Sequence, residues 1–174
     1  MKVLAFGASS SRNSINKKLA NYSCSLLQDS ECNLIDLNDF QMPIYSEDIE
    51  KENGFPEKAN HFIELIRKSD AIVISLAEHN GSYTAAFKNL IDWCSRVKRN
   101  FLQDKPIILL STSPGPGGGA SVLSLAKNSM KFFSGRVIGD LSVPSFYENF
   151  DTETNIISNN EIKQKIQSTI NLLK

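Results

Sequence analysis

Short apolar runs alternate with longer stretches in which apolar residues recur at helical spacing, from one end of the chain to the other. Lys2–Phe6, Asn33–Leu37, Ala71–Leu76, Pro106–Leu110 and Val137–Val143 are rich in Val, Ile and Leu and mostly do not alternate, the pattern of strands covered on both faces. Between them, Ile15–Leu27, Pro56–Lys68, Ala85–Val97, Ala120–Phe133 and Ser158–Leu173 place apolar side chains on one helical face. Ile15, Leu19, Tyr22 and Leu26 make one such stripe; Phe62, Leu65 and Ile66 make another. Strand and helix in turn predict an α/β fold, because parallel strands need a crossover and the crossover helix covers a face of the sheet. Pro56 suits a first helical turn, and Ser158 with Glu161 three residues on suits a capping box. The longest irregular pieces are Asn38–Phe55, Ser111–Gly119 and Pro144–Ile157. No repeat or linker divides the chain, so residues 1–174 read as a single domain.

Right-handed crossovers between the predicted strands leave two common doubly wound layouts. In either, a ligand sits beyond the carboxyl ends of the strands, where the strand order reverses. Attention therefore falls on the loops after the first, third and fourth strands.

After the first strand the chain runs Gly7-Ala8-Ser9-Ser10-Ser11-Arg12-Asn13-Ser14-Ile15-Asn16 straight into a helix. A helix amino terminus presents unsatisfied N–H groups and the positive end of its dipole, and serine hydroxyls add donors. The run fits neither GxGxxG nor GxxxxGK[ST]. Its hydroxyls suit a terminal phosphate monoester, with Ser9, Ser11, Ser14 and Asn16 as candidate ligands; a plain serine-rich turn and cap is the alternative. After the third strand, Ala77-Glu78-His79-Asn80-Gly81-Ser82-Tyr83 contains the turn signal Asn80-Gly81, although the helical pattern that follows argues against a hairpin. Main-chain amides there, with Asn80 and Ser82, suit a planar heterocycle, and Tyr83 is placed to pack beside it. After the fourth strand, Ser113-Pro114-Gly115-Pro116-Gly117-Gly118-Gly119 is rich in glycine, which lets backbone approach a ligand closely.

Charge narrows the partners. Lys and Arg number 19 and Asp and Glu number 19, so there is no basic excess of the kind that nucleic-acid binding needs. The amino-terminal apolar run is too short for a secretory core, and no stretch nears the ~20 apolar residues of a membrane span. A cytoplasmic protein without nucleic-acid or membrane partners is expected. Cys24, Cys32 and Cys94 lack CxxC spacing and are expected to be reduced packing residues. With only His61 and His79, neither a metal centre nor a Ser-His-Asp site has material.

The run Glu78-His79-Asn80-Gly81-Ser82-Tyr83, followed by Leu90-Ile91-Asp92-Trp93 after Lys88-Asn89, resembles the E-x-N-G-S-Y…L-K-N-x-I-D-W stretch of the NAD(P)H-dependent FMN reductase family. That family opens with G-S-x-R-x-x-S-x-N-x-x-L-A, matched here at Ser9, Ser14, Asn16, Leu19 and Ala20. Its L-P-x-Y-x-x-D block resembles Met42–Asp48, and its S-x-S-P-G-x-x-G-G block resembles Ser111–Gly119. Departures are Ala8 for Gly, Ser11 for Arg with Arg12 one position later, Ala77 for Pro, His79 for Tyr, and Thr84-Ala85 for Pro-Gly.

The resemblance implies a flavodoxin-like three-layer sandwich with a five-stranded parallel sheet in the order 2-1-3-4-5. It implies bound FMN, held by Ser9, Ser11, Arg12, Ser14, Ile15 and Asn16, by Ala77, Glu78, His79, Asn80, Gly81, Ser82 and Tyr83, and by Ser113, Pro114, Gly115 and Gly118. NAD(P)H would be the electron donor and a quinone, free flavin or similar small molecule the acceptor, in a ping-pong reaction whose chemistry is the flavin's and needs no protein acid or nucleophile. It also implies a homodimer or homotetramer, with Lys88, Asn89, Asp92 and Trp93 in packing or at the interface. The other readings on this fold are an electron carrier, which would typically be strongly acidic, and a flavin-free binding protein.

Overall fold

The computed structural model describes residues 1–174. Five strands, β1 (Lys2–Ala8), β2 (Glu31–Ile35), β3 (Ala71–Leu76), β4 (Pro106–Thr112) and β5 (Arg136–Val143), form one parallel sheet in the order β2-β1-β3-β4-β5. The implied flavodoxin-like order is the one observed. The central strands β1, β3 and β4 are buried almost throughout, which is why they read as continuous apolar runs.

Two cores flank this sheet. One lies under α3 (Glu57–Lys68), α4 (Ala85–Val97) and α5 (Ala120–Ser129), and contains Phe6, Phe62, Phe87 and Trp93. The other lies under α1 (Ile15–Ser25), the short α6 (Phe146–Asn149) and α7 (Asn160–Ile170), and contains Leu19, Tyr22, Phe146 and Ile166.

Local chemistry moves several boundaries. β2 begins two residues earlier than its apolar run, because Glu31 and Cys32 pair with Lys2 and Val3. Leu37 instead enters a 3-10 turn, Leu37–Phe40, capped by the Asp36 carboxylate on the Asn38 amide. The stretch expected to be irregular before Phe55 holds α2 (Glu47–Asn53), whose cap is Ser46. Pro56 stands at the cap of α3 and not inside its first turn. Asn159, rather than Ser158, caps α7, its side chain accepting from the Glu161 and Ile162 amides. Pro144–Ile157 contains α6 and a small antiparallel pair, β6 (Phe150–Asp151) and β7 (Ile156–Ile157).

The cysteine expectation is corrected. The last turn of α1 lies against β2 with the Cα atoms of Cys24 and Cys32 6.1 Å apart, within bridging reach, and the two are joined as a disulfide. Cys94 is a free, fully buried thiol, and burial raises its pKa. No helix is long and apolar enough to cross a membrane.

Candidate functional site

The first wall of the site begins with a glycine. At Gly7 a Cβ would stand 2.4 Å from the backbone nitrogen of Lys17, so only glycine lets β1 approach the first turn of α1 this closely. The helix amino terminus is thereby drawn to the carboxyl edge of the sheet. Ser14 caps it, its Oγ accepting from the Lys17 amide at 3.1 Å, and Ser9 Oγ accepts from the Ser11 amide at 3.1 Å. Both hydroxyls keep their protons free to donate outward. The amides of Ile15 and Asn16, at the start of the helix, have no partner within the chain.

Asn16 has a different place from the one its sequence position suggests. Its side chain is buried, with Oδ1 accepting from Ser75 Oγ at 2.8 Å and from the Thr112 amide at 3.1 Å, while Nδ2 donates to the Thr112 carbonyl at 3.1 Å. It joins α1 to the ends of β3 and β4, and only its main-chain N–H faces outward chemistry.

The loop after β3 turns tightly. His79 and Ser82 exchange both main-chain hydrogen bonds at 3.0 Å, with Asn80 and Gly81 at φ 51° and 75° between them. This is a tight turn with two left-handed central residues closed by one isolated bridge, and no paired strands flank it, as the helix that follows leads one to expect. Thr84, where the family has Pro, caps α4 and donates from Oγ1 to the Ala8 carbonyl at 3.0 Å, tying this loop to the first.

Glu78 also faces inward structure. α5 starts after Gly119, which has no side chain to cap it, and Glu78 Oε2 supplies the missing acceptor to the Val122 amide at 2.9 Å. The glycine-rich loop is held as well: the Gly118 carbonyl accepts from Ser111 Oγ at 2.8 Å and Ser142 Oγ at 3.0 Å.

These walls enclose a polar cleft of about 300 Å³ at the carboxyl edge of the sheet. Of the sequence candidates it brings together Ser9, Ser11, Ser14, Ile15, Asn16, Ala77, Glu78, His79, Ser113 and Pro114. Arg12, Asn80, Gly81, Ser82 and Gly115 do not line it. Two further candidates lie outside the lining, held in packing with other elements. Gly118 is buried between β4 and β5, where Ser142 and Val143 would meet any Cβ. Tyr83 turns toward the α5 core, its hydroxyl 2.6 Å from Ser129 Oγ and its ring edge-on to Phe87 at 5.2 Å.

Three lining residues escaped the sequence reading: Asn13, Thr112 and Tyr147. Asn13 and Thr112 were signalled by lying inside or beside the recognised loops. Tyr147 had no such signal beyond its place in the long irregular segment after β5. Charge in the lining is sparse, with Glu78 the one carboxylate and no Lys or Arg. Lys17 is close in sequence, but its ammonium is held by Asp36 at 2.5 Å.

A second groove of about 280 Å³ is mostly apolar and shares the serine loop through Ser10. Phe40, Met42 and Ile44 line it, and Ile44 is 83% exposed. α4 clamps this loop: Asn89 Nδ2 donates to the Met42 and Pro43 carbonyls at 3.2 and 3.0 Å, and Trp93 Nε1 donates to Pro43 at 2.8 Å.

Residues 1–148 match the model of a family described as NADPH-dependent FMN reductase. An uncharacterized protein of Mycoplasma pneumoniae is 34% identical over 155 residues, spanning 86% of this chain and 91% of that protein. A quinone reductase of Pseudomonas putida is 34% identical over 123 residues, spanning 70% of this chain and 64% of that protein. Among solved structures, a flavoenzyme NAD(P)H:(acceptor) oxidoreductase of Paracoccus denitrificans shares the fold, with a TM-score of 0.78 at 24% identity over 99% of this chain and 94% of that one.

Proposed function

The chain belongs to the NADPH-dependent FMN reductase family, and from that premise we propose that FMN occupies the polar cleft and that residues 1–174 act as one FMN-binding domain. The donor set carries the reading. Ser9 and Ser14 hydroxyls with free protons, the exposed Ser11, and the unpartnered amides of Ile15 and Asn16 converge at a helix amino terminus. Such a set fits a phosphate monoester. The heterocycle would then reach the walls built by Ala77–His79 and Thr112–Pro114, at the edge where the strand order reverses.

When bound, FMN supplies the chemistry of a two-electron relay, taking hydride from NAD(P)H and passing electrons to a small acceptor such as a quinone. The protein's part is placement. The helix terminus anchors one end of the cofactor, Asn16 fixes that terminus to β4, and Glu78 fixes the β3 loop to α5. Donor and acceptor would use one exposed ring face in turn, giving parallel lines when NADPH and quinone are both varied.

Purified protein should be yellow, bleach under anaerobic NADPH, and recover its colour with a quinone. A colourless protein that cannot be reconstituted with FMN would overturn the reading. We further propose a homodimer in which a second copy covers the apolar groove at Met42 and Ile44. Ile44→Asp should then give the monomer mass in light scattering.

A further inference from the structure

The cleft presents a chemical problem: a phosphate dianion would sit where no lysine or arginine lines the wall. The serine at position 11 stands where the family has arginine, Arg12 is not among the residues of the lining, and Lys17 is committed to Asp36. Neutral donors must do all of the work, so each hydroxyl at the wall counts.

One hydroxyl comes from a part of the chain that the three recognised loops do not include. Tyr147 lines the same cleft and is 64% exposed, so its ring is open to a ligand there. Its position is fixed from beneath. Ser145 donates its amide to the Gly115 carbonyl at 2.9 Å, and Phe146 donates to the Ser113 carbonyl at 3.0 Å, so α6 hangs from the loop that follows β4. Ser145 holds a left-handed conformation, φ 44° and ψ 60°, which is costly for a non-glycine residue and persists only where its surroundings enforce it. Asn149 Nδ2 enforces it by donating to the Pro144 and Ser145 carbonyls at 2.9 and 3.2 Å. Phe146 is fully buried, stacked on Phe150 at 4.6 Å, and edge-on to Tyr147 at 5.4 Å. Phe146 also shares its core with Leu19 and Tyr22 of α1. The ring of Tyr147 therefore emerges on the α1 side of the sheet, the side of the serine loop.

We propose that Tyr147 completes a cation-free phosphate site, its phenol donating to the FMN phosphate and so favouring FMN over riboflavin. This rests on the assignment of FMN to the cleft. The test is a titration of flavin-free protein with FMN and with riboflavin, followed by flavin fluorescence, for wild type, Tyr147→Phe and Ser14→Asp. Because Tyr147 is largely exposed, Tyr147→Phe should fold with an unchanged denaturation midpoint. It should bind FMN about ten- to a hundredfold more weakly, as expected for one lost hydrogen bond to a charged group, and bind riboflavin as wild type does.

Equal FMN affinity in wild type and Tyr147→Phe, alongside a large loss in Ser14→Asp, would overturn the role of Tyr147 and leave the cleft assignment standing. Equal weakening of FMN and riboflavin would also overturn it, since the ring would then be packing on something other than phosphate. If Ser14→Asp binds FMN as wild type does, the cleft assignment itself fails and the proposal with it.

Discussion

The Asn16 side chain grips both the amide and the carbonyl of Thr112, at 3.1 Å each, across 96 positions of chain. The pair binds the first helix to the fourth strand at the rim of the cleft, and Ser75 adds a third hydrogen bond from β3. Asn16→Ala would leave buried main-chain groups of Thr112 without partners. Such groups cost about 1–3 kcal/mol, which for a chain of this size lowers Tm by roughly 2–4 °C per kcal/mol. Calorimetry should show this loss in the flavin-free protein, because the contact is structural and does not depend on a ligand.

Ser14→Asp should behave in the opposite way. Aspartate is as good a helix cap as serine, so the Lys17 amide keeps an acceptor and stability should hold within about 0.5 kcal/mol. A carboxylate facing a phosphate is repelled, and FMN affinity should fall about 100-fold or more. Denaturation and flavin titration on the same sample separate the two effects.

Glu78→Ala should loosen α5. Its helix begins at a glycine cap and borrows its acceptor from the loop after β3, so truncation should cost about 0.5–2 kcal/mol, with Glu78→Gln in between. Urea midpoints of the three proteins check the order. A midpoint unchanged by alanine would mean that the cap is not made in solution.

Affinity for FMN should depend little on salt. With no lysine or arginine in the lining, raising NaCl from about 50 to about 500 mM should change the dissociation constant by less than roughly threefold. A tenfold loss would place a cation, such as that of Arg12, at the phosphate after all.

Asp36 gives a pH dependence. Burial raises its carboxyl pKa, but hydrogen bonds from Lys17 and Asn38 outweigh burial and hold it below the ordinary value. A carboxylate depressed in the folded state contributes stability that is present above its unfolded pKa of about 3.9 and is lost as pH falls through the folded value. Asp36→Asn should lower stability at pH 7 by about 1 kcal/mol or less, since the pair is partly exposed, and should flatten the acid side of the stability profile. Denaturation series at pH 7 and at about pH 3 would reveal both changes.

Much of the framework was legible because period and composition carry it. Ala71–Leu76 and Ala85–Val97 read from the sequence as they fold, since shortness and β-branched residues settle the apolar run as a strand and helical spacing of apolar residues marks the helix. The site was legible at the level of loops and less so at the level of side chains. Asn16 and Tyr83 look like ligands in a motif, yet Thr112 and Ser129, distant in sequence, claim their polar atoms. Glu78 is the same case, because a helix that begins with glycine advertises no cap of its own. Tyr147 lay hidden for another reason: α6 is too short to have a period, and a left-handed serine sets its direction.

The hydrogen bonds from Ser145 and Phe146 to the loop after β4 have a bearing on the order in which the molecule assembles. The serine loop and α1 sit side by side on β1, but the amino terminus of α1 is also held through Asn16 to Ser75 and Thr112, so even this wall is complete only once β3 and β4 are in place. The remaining walls arrive from residues around 77, 112 and 147, and the last of them waits for the sheet's edge strand β5 to be laid down. Closing such distant contacts is the slow, entropically costly part of folding. If FMN fills the cleft as proposed, its capture is expected to follow the pairing of β5 and so to report completion of the whole sheet.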